Sequence, residues 1–86
     1  MAHPSDLAIE VISPNDIYMK VMSKMEDYFA AGVRQVWLVD PEYHRVSIYR
    51  SPTDVAILTE EQELVSEDLL PGFRCRLSEI FKTPAK

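Results

Sequence analysis

Hydrophobic and polar positions along the chain change period several times, and each change predicts an element. Leu7, Ala8, Ile9, Val11 and Ile12 form a near-continuous apolar run, the pattern of a strand covered on both faces. Only Glu10 interrupts it. A carboxylate in such a strand costs several kcal/mol unless it is paired, protonated or bound to a metal. "SPND" follows, where Ser13 can cap a helix and Pro14 suits its first turn. From Asp16 to Ala31 the apolar residues Tyr18, Val21, Met22, Met25 and Phe29 recur at intervals of three and four, and Gly32 supplies a stop. This spacing predicts one long helix whose methionine stripe is core packing.

Beyond the helix the period shortens to two. Val33 to Asp40, rich in β-branched and aromatic residues, ends at Pro41 and reads as a strand. "PEYH" turns into Arg45 to Arg50, where Val46 and Ile48 alternate with Arg45, Ser47 and Tyr49, so the two strands form a hairpin. "SPTD" turns again into Val55 to Leu58. Short strands are predicted at Glu63 to Val65 and at "FRCRL", with a helical turn from Ser78 to Phe81. The order predicts an α/β (α+β) domain, a mixed β-sheet with one long helix. A single helix covers one face of such a sheet, so the other face is expected to be covered by a missing N-terminal segment or by a second copy in a homodimer.

Composition narrows the function. The 86 residues are expected to make one domain, 1–86, with 82–86 as a frayed tail. No apolar run approaches the roughly 20 residues of a membrane span, and the N-terminus lacks the pattern of a secretory signal, which predicts a cytoplasmic location. The single cysteine, Cys75, cannot form an internal disulfide, and with His3 and His44 it is too sparse for structural zinc. The net charge is −5, and the six acids Asp54, Glu60, Glu61, Glu63, Glu67 and Asp68 meet no base between them. That stretch is no footprint for nucleic acid, whose phosphates need Lys and Arg.

Candidate chemistry gathers around Glu10. On a helical wheel, Lys24 falls at the border of the apolar face, from which its ammonium can reach Glu10, whereas Lys20 falls further toward solvent. Asp6 lies four residues before Glu10, about 13 Å away along a regular strand at ~3.3 Å per residue. One metal ion cannot bridge that distance. Trp37 reads as packing, Asp40 as the end of a strand, and Gly72 as a tight turn. There is no phosphate-binding glycine loop, Ser/His/Asp triad or zinc motif.

The pieces E-V-x-S-P (Glu10 to Pro14), K-x-x-x-Y (Lys24 and Tyr28), A-G-V (Ala31 to Val33), W-x-V-D-P (Trp37 to Pro41) and L-P-G-F (Leu70 to Phe73) occur in this order. Together they resemble the Uma-type restriction endonucleases, also called domain of unknown function 820, from about Asp6 to Phe81. The resemblance implies part of the restriction-endonuclease-like core of the PD-(D/E)XK superfamily, specifically its C-terminal half. It also implies Mg²⁺- or Mn²⁺-dependent hydrolysis of DNA. Glu10 would be the metal ligand of the strand. Ile12 stands where the superfamily carries a lysine, and Lys24 is the matching position on the helix. The family's Pro-Asp element corresponds to Pro4, Ser5 and Asp6, with one residue inserted, which makes Asp6 the second metal-ligand candidate. The alternative function is a non-catalytic interaction or dimerisation module derived from a nuclease.

Overall fold

The computed structural model describes residues 6–82; the expected frayed tail, His3, and Pro4 and Ser5 of the family element lie wholly or mostly outside them. Strand β1 (Leu7–Val11) leads through a loop to helix α1 (Tyr18–Ala30). Then come β2 (Gln35–Asp40), β3 (Arg45–Ser51), β4 (Asp54–Leu58), β5 (Glu63–Val65), β6 (Arg74–Arg76) and the short helix α2 (Leu77–Ile80). The first four strands form a mixed sheet in the order β1-β2-β3-β4, parallel between β1 and β2 and antiparallel thereafter. Strands β5 and β6 pair separately.

Helix α1 begins two residues later than its apolar period suggests. Ser13 is not its cap: the Ser13 N–H donates to Asp16 Oδ2 at 2.8 Å and the Asp16 N–H to the Ser13 carbonyl at 3.0 Å, which closes the loop on itself. The extended residue Ile17 then precedes the first turn. At the other end Gly32, at φ 98°, lets the Gly32 and Val33 N–H groups return to the carbonyls of Phe29 and Tyr28. This paired closure ends the helix and turns the chain back toward the sheet.

The core has two layers, with β2 between them. Val36 and Leu38 face α1, where they pack with Met25, Val33 and the flanking Ala8 and Ile12. Trp37 faces the other way, with Val46, Leu64 and Leu77. This second layer covers β2 and β3 on the face that the single long helix leaves open. The β5–β6 pair and α2, too short to weigh heavily in the sequence, seat Leu64 and Leu77 over the strands, and Leu77 is fully buried. The same arrangement corrects the reading of β1. The strand covered on both faces is β2, while β1 lies at an edge of the sheet, with Ile9 54% and Val11 66% exposed on the face turned away from α1.

Candidate functional site: a carboxylate cleft at the open edge of the sheet

Glu10 projects from β1 toward α1, because even-numbered residues of the strand share the face of Ala8 and Ile12. On α1, Lys20, Lys24 and Tyr28 stand four apart and so form one stripe. Strand and helix enclose a cleft of about 580 Å³, walled by Glu10, Asp16, Lys20, Lys24 and Tyr28 and floored by residues that include Val36 and Leu38. Its polar wall therefore stands on β1, α1 and the loop between them, beside the helix-side core.

Both oxygens of Glu10 are engaged. Lys24 Nζ donates to Oε1 at 3.2 Å, and the Tyr28 hydroxyl donates to Oε2 in a short hydrogen bond. Glu10 is therefore not buried, as its apolar neighbours suggest; its side chain is 27% exposed and is satisfied by two donors from one helix. The Tyr28 hydrogen bond, aided by Lys24, holds the Glu10 carboxyl below its ordinary pKa, against the opposing effects of burial and of Asp16. In turn Glu10 raises the Lys24 ammonium and, by accepting its proton, the Tyr28 phenol. At neutral pH the cluster is a carboxylate, an ammonium and a neutral phenol.

The structure brings together Glu10 and Lys24 but not Asp6. Asp6 precedes the other end of β1, where its carbonyl accepts the Arg34 N–H at 2.9 Å, and it does not line the cleft. Lys20, placed toward solvent by the wheel, does line it, because the cleft extends beyond the apolar stripe along the flank of α1. Asp16 and Tyr28 complete the wall. The spacing of Lys20, Lys24 and Tyr28 at i, i+4 and i+8 was the signal for their common stripe; nothing in the sequence marked Asp16, which arrives through the loop closure described above.

A divalent cation needs several hard oxygen ligands. Among the described residues no three His, Cys, Asp or Glu side chains gather in one place, and both oxygens of Glu10 already have donors. Asp16 also stands in the wall, yet the carboxylates of the described residues do not form a complete metal-binding set. Elsewhere, His44 Nδ1 lies 2.9 Å from Glu60 Oε2 and its ring stacks on Phe81 at 5.0 Å, away from the cleft. Trp37 packs and donates to Gln35 Oε1, while Asp40 accepts the N–H groups of Glu42 and Tyr43 to close the β2–β3 turn. No helix among the described residues is long and apolar enough to cross a membrane.

Comparison with known proteins agrees with this architecture. Residues 1–78 match the model of the Uma2 family, described as "Putative restriction endonuclease". The chain belongs to this family. No curated protein matches the sequence. Among solved structures the fold is similar to that of a nuclease described as putative and as belonging to domain of unknown function 820, from Anabaena variabilis, with a TM-score of 0.76 at 21% identity. The similarity covers 94% of this chain and 45% of that protein, so this chain spans less than half the length of its structural neighbour.

Proposed function

We propose that the chain contributes the glutamate–lysine part of a nuclease site that hydrolyses phosphodiester bonds in DNA. The observation that carries this reading is the convergence of Glu10, from β1, and Lys24, from α1, on one cleft. Membership of a restriction-endonuclease family supports it. A phosphodiester bears negative charge that grows on its non-bridging oxygens as a nucleophile adds, and a fixed ammonium at the cleft wall stabilises that charge. Lys24 has this role. Lys20, one turn along the same stripe, extends the cationic wall for the neighbouring phosphate.

Glu10 is the carboxylate of the site, the residue that would face Mg²⁺ or Mn²⁺. Tyr28 fixes the orientation of that carboxylate. Because the described carboxylates form no metal-binding group of three, further ligands are needed, and Asp6 stands too far along β1 to be one of them while the strand keeps its regular form.

The test is nicking of supercoiled plasmid by the purified chain with Mg²⁺ or Mn²⁺, beside Glu10→Ala, Lys24→Ala and a chelated control. Cleavage is expected to disappear in all three controls. Cleavage that survives Glu10→Ala would overturn the assignment. The second reading, a non-catalytic interaction module, is favoured by one specific observation: no carboxylate cluster forms among the described residues. DNA binding without cleavage at any metal concentration would support it.

A further inference from the structure

The cleft is walled by more acids than bases. Glu10, Asp16 and Asp27 line it against Lys20 and Lys24, on a chain whose net charge is already −5. The two lysines differ in what they can offer a phosphate. Lys24 Nζ lies 3.2 Å from Glu10 Oε1, so its charge is already met by a carboxylate of the same wall. Lys20 stands one turn away on the same stripe and enters none of the ion pairs among the described residues. Glu10 is anchored from its other oxygen as well, because Tyr28 donates to Oε2. The carboxylate is thus held where it faces Lys24.

We infer that the Glu10–Lys24 pair is an autoinhibitory contact, which withholds the Lys24 charge from DNA lying in the cleft and leaves Lys20 as its effective cation. The inference rests on the nuclease reading for the identity of the ligand, while its electrostatics belong to the cleft alone and require no metal ion. A lysine that meets a phosphate releases a condensed counterion from the DNA, and each such contact adds about 1 to the slope of log affinity against log salt. For Lys20 the exchange is complete. For Lys24 it is not: an ammonium that turns to a phosphate leaves Glu10 uncompensated, and that carboxylate takes up a cation from solution in its place. What the DNA releases the cleft recovers, and the net contribution of Lys24 to the slope is close to nil. The balance changes when a nucleophile adds and further charge grows on the phosphate oxygens. The pair therefore reserves Lys24 for the transition state, where an interaction raises rate and not ground-state affinity.

Fluorescence anisotropy of a labelled DNA duplex, followed across a salt series with a chelator present, tests this. Glu10→Gln removes the charge but keeps the length of the side chain and an acceptor for Tyr28, and urea unfolding checks its fold. It should bind the duplex about two- to fivefold tighter, the range that an exposed ion pair represents, with a slope steeper by about 1. Adding Lys24→Met to Glu10→Gln should return the slope to that of the unaltered chain. Asp27→Asn removes the same charge from the same cleft without touching the pair, and should leave the slope unchanged. In the unaltered chain Lys20→Met should lower the slope by about 1 and Lys24→Met should not, a comparison that needs no change at Glu10. The inference is overturned if the slope does not steepen in Glu10→Gln, if it steepens equally in Asp27→Asn, if both lysine variants lower it alike, or if neither the unaltered chain nor Glu10→Gln binds the duplex. Plasmid nicking is a separate outcome. Nicking with an unchanged slope keeps the nuclease reading and removes the autoinhibitory contact, whereas a steeper slope without nicking keeps the contact and overturns the nuclease reading.

Discussion

Replacing Tyr28 by phenylalanine removes one hydroxyl from the wall of the cleft and leaves the ring that packs against the Val36 and Leu38 layer. The hydroxyl donates to Glu10 Oε2, and it is the largest influence holding that carboxyl ionised. A hydrogen bond to a charged group contributes about 1.5–3 kcal/mol. With 27% of the Glu10 side chain exposed, water replaces part of the lost bond, which puts the expected loss at or just below the bottom of that range, about 1–1.5 kcal/mol. For a domain of this size that corresponds to a fall in Tm of roughly 4–12 °C. The pH dependence gives the sign. The folded-state pKa of Glu10 lies below its ordinary value of 4.5, so its contribution is complete above that value and is lost as pH falls through the folded-state pKa. Urea unfolding of both proteins at pH 7 and near pH 3 measures the difference. It should be present at pH 7 and shrink by more than half in acid. Equal stability at pH 7, or a difference undiminished in acid, would refute the argument that Tyr28 acts through an ionised Glu10.

Other changes test separate parts of the structure. Leu77→Ala should destabilise by about 2–5 kcal/mol in urea unfolding, since Leu77 is fully buried in the second layer; Ile80→Ala, at a site 39% exposed, should cost far less, and similar losses would mean that α2 does not cover the sheet. Gly32→Ala should cost about 1 kcal/mol or more, because Gly32 sits at φ 98° with open space around it, so the loss comes from backbone conformation and not from a clash. If Lys20 contacts a phosphate, Lys20→Ala should lower the slope of log affinity against log salt for duplex DNA by about 1, read by fluorescence anisotropy. An unchanged slope would remove Lys20 from the proposed interface.

Some of this structure was legible in the sequence and some was not, for physical reasons. The period of Val21, Met22, Met25 and Phe29 fixes which side of α1 is buried, and the alternation from Arg45 onward fixes the faces of β3. Both follow from local geometry that every helix or strand obeys. The border position of Lys24 was visible for the same reason. What the pattern could not supply is what lies above a face. Ile9 and Val11 look like residues of a doubly covered strand, yet they are among the more exposed apolar residues, because cover depends on neighbours distant in sequence. Conversely, β5, β6 and α2 were expected as short elements, but three or four residues each carry no signal of where they dock, and their cover over Trp37 was not legible. Asp16 joined the site through a turn, where side-chain hydrogen bonding overrides any period.

The strand order of the main sheet repeats the order of the chain. Strands β2, β3 and β4 are joined by tight turns and need only short loops to close. Pairing β1 with β2 instead requires the whole of α1 to be traversed first, so its closure entropy is greater than that of either hairpin. The meander and its hydrophobic layer can assemble from local contacts, while β1 joins by the longest closure in the sheet. Glu10 travels on that strand. The cleft is therefore assembled when the sheet is completed, and fluctuations that release β1 separate Glu10 from Lys24 and Tyr28 while the meander remains paired. Hydrogen exchange at the β1 amides bonded to β2 would report the opening of the site directly, set against slower exchange in the centre of β2 and β3.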